Sequence, residues 1–580
     1  MTKRPNIILI NCDDLGYGDL ACYGSKVNKT PNLDAMARRG IRFTDYHVMS
    51  PVCSASRAAL LTGCYPQRLG FPGVLFPGDA KGLHPDEITI ADVLREQGYR
   101  TKIVGKWHCG DQPEFLPTRH GFDEYYGLPY SNDMGIQGRR ENRHKRTPLP
   151  LMRGEEVIQE QPDQRGLTER YTEECVRFIR DNATGPFFLY LAHMYVHVPL
   201  FVPHRFLRQA ANGPYGGAVE CIDWAAGVIF FELHRLGIDE NTIVIFTSDN
   251  GSSAGDGGGS NAPLRGKKFT TWEGGQRVPF IIRWPGRIPA GETCDELVTA
   301  MDLMPTLARI AGTSEPADRV IDGKDISPLI FGREGATSPH EGMYYYRLDY
   351  LQAVRKGKWK LHFARIKDKV FARGEQIPPE LYDLESDIGE SNNVAGEHPE
   401  IVEDLLAEAD RARQELGDAM TGAEGTGCRP VGLVENPEPL THYDEEILDL
   451  LAGKTVLVVA NKSDKPQKAD MGGVSWSVVA TSALSGDGLH KLEDMMVKAV
   501  LGGNVISSDT ALVTNPRHKV LLKKAYDNVS QALKSAKESM PEDFISIDIT
   551  AALNALGEIT GDTVTEELLE TIFSSFCIGK

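Results

Sequence analysis

The chain has 580 residues, a formal net charge of −18 at neutral pH and 41% hydrophobic residues, the profile of a globular protein long enough for two or more domains. The acidic balance excludes a general nucleic-acid binder, which needs positive charge to neutralise phosphates, and no apolar run is long enough to span a membrane. Ten cysteines without CxxC pairs or metal-ligand spacing argue against a zinc site or a disulfide framework and suit a reducing compartment.

The first apolar strand follows Met1-Thr2-Lys3-Arg4-Pro5 at once, leaving no room for a signal peptide. As written, the chain is expected to be cytoplasmic, with export open if the true start lies upstream. Residues 6–11 read as a central parallel strand ending in Cys12-Asp13-Asp14-Leu15-Gly16. Adjacent carboxylates at a strand's carboxyl edge are costly unless something positive lies between them, and a hard cation is the simplest answer. Thr30-Pro31 opens a helix through Arg39.

Cys53-Ser54-Ala55-Ser56-Arg57 lies between turn-like residues 49–52 and the helical run 58–62. That placement puts Cys53 at a helix N-terminus, where free N–H groups and the dipole favour an anion. The pentapeptide alone equally suits a buried cysteine beside a serine N-cap. Residues 88–97 read as a helix and 99–104 as a strand closing on Gly105-Lys106-Trp107-His108, which supplies a fixed positive charge and a group titrating near neutrality.

Residues 113–166 are punctuated by Pro and Gly and read as loops around a pocket mouth, with the basic run 139–146 as a solvated part of them. A helix over 168–180 precedes a strand ending at His193, with His197 just beyond. After a helix over 219–236, a strand from 241 ends in Ser248-Asp249-Asn250-Gly251. Asp13, Asp14, Asp249 and Asn250 then bring oxygen donors from two strand ends toward one cation, calcium or magnesium by ligand type. Residues 255–260 read as a mobile lid or a plain linker, 278–284 as a strand, 302–311 as a helix, and 352–361 as a hairpin turning at Lys356-Gly357.

Cys53-x-Ala55-x-Arg57 with its continuation through Gly63, Tyr65-Pro66 and Arg68 resembles the signature of type I sulfatases of the alkaline phosphatase superfamily. So do Asp13-Asp14-x-Gly16-Tyr17-Gly18-Asp19, Gly105-Lys106-Trp107-His108, Val196-His197-Val198-Pro199 and the stretch 263–275 around Lys268. The likeness covers residues 4–440 and departs from the family at Ala55 and Val196, where proline is commoner.

It implies an α/β fold, an alkaline-phosphatase-like, mostly parallel sheet sandwiched by helices, with a catalytic domain over 1–340 and a small α+β subdomain over 341–440. It implies sulfate-ester hydrolysis on a small-molecule or carbohydrate substrate, with Cys53 oxidised by a maturase to formylglycine. The cation, calcium by the resemblance and magnesium as alternative, would be held by Asp13, Asp14, Asp249, Asn250 and the modified Cys53. Arg57 would anchor the modified residue, Lys106, Lys268 and His197 would neutralise the transferring group, and His197 or Lys268 would protonate the leaving oxygen. Asp249 would help activate the nucleophile and His108 would trigger sulfate release. His193 and His204 read as structural. The rivals are a phosphodiesterase or phosphonate hydrolase of the same superfamily, and a silent anion binder should Cys53 stay a thiol.

Past Tyr443, a strand over 454–460 leads into Asn461-Lys462-Ser463-Asp464, and Ser482-Ala483-Leu484 follows another apolar run. These resemble the guanine-reading loops of GTPases, and Phe576-Cys577-Ile578-Gly579-Lys580 resembles the end of the bacterial tRNA-modifying GTPase MnmE. Residues 441–502 are thus expected to form a partial GTPase domain and 503–580 a helical segment ending at Cys577. In the resemblance Asp464 pairs with guanine's edge while Asn461 and Lys462 shape its pocket. No phosphate loop is present: Gly453-Lys454-Thr455 has Leu448 where the first Gly must stand, so GTP hydrolysis is not expected. The stretch reads as a fusion or recombination product, with a nucleotide- or RNA-binding role as the alternative.

Overall fold

The first apolar run forms strand β1 (Asn6–Cys12), buried at every position. Ile7 and Leu9 enter one apolar layer while Ile8, Ile10 and Cys12 enter another, as a strand covered on both faces requires. The computed structural model describes residues 4–137, 147–253, 258–366, 374–433, 457–460, 477–480, 516–537 and 542–560. Residues Met1–Leu433 and Val520–Lys580 form one compact unit, and Val434–Lys519 form a second.

In the first unit, β1 lies inside a ten-stranded sheet with β2 (Ile41–Phe43), β3 (Arg100–Lys106), β4 (Glu124–Leu128), β5 (Pro150–Arg153), β6 (Glu156–Glu160), β7 (Phe187–Ala192), β8 (Thr242–Ser248), β9 (Phe280–Arg283) and β10 (Glu292–Cys294). The order is β10-β2-β9-β8-β1-β7-β3-β4-β5-β6. The central run from β8 to β4 is parallel, while β9 pairs antiparallel with β8 and β2, and β5 with β4 and β6. The sheet is therefore mixed: its centre is parallel as expected, and antiparallel pairings flank it on both sides.

Helices α1 (Pro31–Arg38), α4 (Leu167–Asn182) and α5 (Gly213–Arg235) cover one face, and α2 (Cys53–Thr62), α3 (Ile90–Glu96) and α6 (Leu303–Ala311) the other. The stretch 113–166, expected as loops, supplies β4, β5 and β6. Only Leu151 and Met152 of the four-residue β5 are buried, too few positions for an alternation to show in sequence. Helix α5 starts earlier than expected, because Pro214 takes its first turn and the glycines 216 and 217 interrupt the apolar pattern.

A second sheet, antiparallel, holds β11 (Gly342–Arg347), β12 (Tyr350–Lys356), β13 (Trp359–Ile366) and β14 (Gly374–Asp383) in that order. Leu405, Ala409 and Ala412 of α7 (Pro399–Leu416) pack on it in a cluster that also takes in Ala59, Tyr65 and Met301. Helices α8 (Pro516–Lys537) and α9 (Glu542–Thr560) follow. Ile547 of α9 packs with Val176 and Val228, and Asp548 accepts from Arg180 at 2.8 Å.

Within the second unit, β15 (Leu457–Ala460) and β16 (Ser477–Ala480) pair in parallel. Asn461, Lys462, Asp464, the 453–455 and 482–484 loops and Cys577 lie outside the described residues, as do the basic run 139–146 and residues 254–257 of the expected lid. Among the described residues every cysteine is free, and no helix is long and apolar enough to cross a membrane.

Candidate active site

The pairing of β1 with β8 sets Cys12 opposite Ser248, so the carboxyl ends of two neighbouring strands deliver Asp13-Asp14 and Asp249-Asn250 to one place. Asp249 N–H donates to the Cys12 carbonyl at 3.0 Å, and Asp14 N–H donates to Asp249 Oδ1 at 3.2 Å. Asp14 sits at φ 64°, a left-handed conformation that Asp tolerates better than most residues and that an assembled site must hold. Asn250 Nδ2 donates to Asp14 Oδ1 at 2.8 Å, while its Oδ1 is buried with no hydrogen-bond partner.

Helix α2 begins at Cys53 and is buried along its whole length. Its N-cap is Val52, with no side-chain cap, so the serine-cap reading of the pentapeptide does not hold. Cys53 Sγ lies 3.2 Å from Asp13 Oδ1 and 3.2 Å from Lys268 Nζ. One turn on, Arg57 donates through Nε to Asp249 Oδ2 at 2.8 Å and through Nη1 to the Lys106 carbonyl at 2.9 Å. The side chain that fixes the helix start is thereby locked to two strand ends.

Lys106, the last residue of β3, places Nζ 2.5 Å from Asp13 Oδ2 and 3.3 Å from Ser131 Oγ. The strand comes this close to β7 because Gly105, at φ 112°, carries no Cβ; one there would meet the Ala192 carbonyl at 1.9 Å. His197 Nδ1 lies 2.7 Å from the Val198 carbonyl, which can only accept, so Nδ1 carries the proton and Nε2 faces Asp14 Oδ2 at 3.8 Å. By the same logic His108 Nε2 donates to the Leu75 carbonyl at 3.1 Å, which leaves its buried Nδ1 as a bare lone pair without a partner. Lys268 Nζ is 2.6 Å from Asp14 Oδ1.

The structure thus joins Asp13, Asp14, Cys53, Arg57, Lys106, His197, Asp249, Asn250 and Lys268 by direct contacts, with His108 one step away. His193 is buried with neither ring nitrogen partnered, and burial together with Arg57 lowers it to about 3. His204 is exposed. Ser131, beside Lys106, escaped the sequence reading because it lies in the stretch taken as loops. The polar run Ser131-Asn132-Asp133, two residues beyond the end of β4, is its signal.

Three carboxylates here face three fixed cations, all buried. Burial works against a charged Asp13, yet Lys106, His197, Arg57 and Lys268 outweigh it and hold that carboxyl well below its usual range. Asp249 goes the other way: burial and the neighbouring Asp13 push it up to about 7. Burial opposes a charged Lys268, but Asp14 and Cys53 raise it well above an ordinary lysine. Burial and Lys106 hold His108 well below its usual range, so it is neutral, with Nδ1 unprotonated. Burial raises the Cys53 thiol, so it is no thiolate at neutral pH.

Donor atoms of Asp13, Asp14, Cys53 and His197 all lie within 4.8 Å of one another. With the orphaned Asn250 Oδ1, the oxygen-rich set fits a hard divalent cation. A carboxylate cluster at the carboxyl ends of central strands, ringed by cations and faced by a side chain at a helix start, defines an α/β hydrolase of tetrahedral oxyanion esters.

Residues 5–313 match the sulfatase family model, and residues 266–415 match that of the N-sulphoglucosamine sulphohydrolase C-terminal region. The chain is 39% identical to arylsulfatase A of Homo sapiens over 444 residues, covering 70% of this chain and 87% of that protein. It is 43% identical to N-acetylgalactosamine-6-sulfatase of Canis lupus familiaris over 383 residues, covering 62% and 72%. The crystal structure of Ps i-CgsB in complex with k-i-k-neocarrahexaose superposes with a TM-score of 0.63 at 32% identity, covering 73% of this chain and 96% of that one. The chain belongs to the sulfatase family and is a sulfuric ester hydrolase. Neither family match extends into residues 441–580, so the likeness of that stretch to a tRNA-modifying GTPase gains no support from them.

Proposed function

We propose that the protein hydrolyses an aryl or carbohydrate sulfate ester with a formylglycine made from Cys53 by a maturase and with a bound calcium ion. The observation that carries this reading is the meeting of Cys53 Sγ with Asp13 and Lys268 at the start of α2. Burial raises the Cys53 thiol, so as a cysteine it would be a poor nucleophile, and the reading assigns the attack to the converted residue. When present, the hydrated aldehyde supplies two geminal hydroxyls there and the cation polarises a substrate oxygen.

The chain's own residues then have separable tasks. Asp13, Asp14, Asp249 and Asn250 would hold the cation, joined by the modified residue 53. Arg57 keeps the first turn of α2 against Asp249, which takes the proton from the attacking hydroxyl. Lys106 and Lys268 neutralise the sulfuryl oxygens. Of the two candidates for protonating the leaving oxygen, Lys268 is favoured, because His197 already spends its proton on the Val198 carbonyl. The free Nδ1 of His108 accepts the proton whose removal releases sulfate.

The names of the relatives favour aryl and amino-sugar sulfates as first substrates. Turnover of an aryl sulfate against an aryl phosphodiester, each with and without a chelator, tests this. Chelator-sensitive sulfate cleavage supports the reading, and a faster phosphodiester reaction would assign the chain to the rival hydrolase class. For residues 441–580 we retain the fusion reading, with the parallel pair β15–β16 as its support. Guanine-nucleotide binding by the full chain is the measurement that would give that stretch a role of its own. Cytoplasmic placement stands as part of the proposal and is tested by fractionation.

A further inference from the structure

Outside the site, a second buried charged group joins the catalytic domain to the small antiparallel sheet. Asp45, His47 and Glu273 bring their ligand-type atoms within 4.8 Å of one another. Their charges are already answered, since Arg277 and Arg355 reach Asp45 while Arg277 and Lys360 reach Glu273. Such a cluster is an ion-pair network rather than a metal centre.

Its position is the informative part. Lys360, on β13 and fully buried, places Nζ 2.8 Å from Glu273 Oε1, 2.9 Å from Glu390 Oε1 and 2.9 Å from the Thr271 carbonyl, over the Tyr345 ring. Glu390 Oε2 accepts from Glu273 N–H at 2.8 Å, and Gln352 on β12 accepts from Thr271 Oγ1 at 2.8 Å. The Trp272 ring centre lies 4.1 Å from that of His362 and 3.7 Å from the Arg265 guanidinium. The contacts of Lys360, Gln352, His362 and Glu390 with Thr271, Trp272 and Glu273 grip the end of the segment 265–273, which carries Lys268.

On its other side that segment is tied by Lys268 N–H to the Ser252 carbonyl and by Phe269 N–H to the Pro51 carbonyl, each at 3.0 Å. Phe269 sits at φ 70°, a conformation a bulky side chain holds only when its surroundings impose it. We propose that Lys360, with Glu273, Glu390 and the Thr271–Gln352 hydrogen bond, is a positioning device by which the small C-terminal sheet aims Lys268 at the sulfuryl group. This rests on the reading of Lys268 given above. Lys360 touches no reacting atom and acts through the loop. The small sheet is thereby a working part of the active site.

The test is a double-mutant cycle on the full-length, metal-loaded protein, reading kcat and KM on an aryl sulfate and the inhibition constant of inorganic sulfate. Lys360→Met should raise KM and weaken sulfate inhibition by ~10-fold, and should add almost nothing on top of Lys268→Met, because the lysine it aims is then gone. Thr271→Val, a milder change that also decides the matter if Lys360→Met does not fold, should weaken sulfate inhibition by ~3-fold. Wild-type kinetics in both folded variants, or a Lys360→Met effect that adds in full to Lys268→Met, would overturn the proposal. A wild-type protein that neither turns over aryl sulfate nor binds sulfate would instead overturn the reading of the site.

Discussion

Among the described residues, two buried clusters bring Asp, Glu or His within metal-ligand reach, and they differ in the backbone that carries them. Around Asp45, His47 and Glu273, each carboxylate accepts from a cation, although His47 Nδ1 is left without a hydrogen-bond partner. Around Asp13, Asp14 and Asp249 the carboxylates are also balanced by cations, yet Asn250 Oδ1 and His108 Nδ1 have no partner, and Asp14 and His108 are held at positive φ. Composition alone would rank the two alike. Backbone conformations imposed on Asp14 and His108, gathered with an orphaned amide oxygen at strand ends, mark the cluster that acts on something else.

The sharpest break between them is kinetic. Cys53→Ala should abolish turnover, on the order of 10⁴-fold or more, with the melting temperature little changed, as aryl sulfate assays and thermal melts would show. Glu273→Gln should do the reverse at first order. It removes one partner from a buried network and should cost about 3–5 kcal/mol of stability, read by denaturant unfolding, with turnover affected only as far as Lys268 loses its aim.

A pH series separates the clusters further. Without the ion, Asp249 keeps a proton up to about pH 7 and must lose it to ligate a cation. Calcium affinity should therefore rise by up to ~10-fold per pH unit as pH climbs toward 7 and level off above it, as calorimetric titration would show. Affinity already flat from pH 5 to 7 would mean that Asp249 is ionised throughout. The smallest effect belongs to Ser131→Ala, which removes a 3.3 Å contact from Lys106 and should lower kcat/KM by ~3-fold.

The central strands were readable because fully buried strands are continuous apolar runs, and the site was readable because its residues sit where those runs stop. Asp13-Asp14 after β1 and Asp249-Asn250 after β8 needed only a parallel pairing to meet, and the Cys12–Ser248 register provides it. What escaped was information that is not local. The strands β5 and β6 at one end of the sheet are too short for periodicity, Ser131 follows β4, and Lys360 bonds the Thr271 carbonyl 89 positions away. The tautomers of His197 and His108 depend on which carbonyl each imidazole meets, and no motif carries that.

The most direct test is peptide mass spectrometry across Cys53, on protein made in a host whose maturase accepts the alanine form of the motif. The account predicts an aldehyde at position 53 in every preparation that turns over an aryl sulfate, in proportion to its activity. A fully active protein whose residue 53 is an unmodified thiol would contradict it.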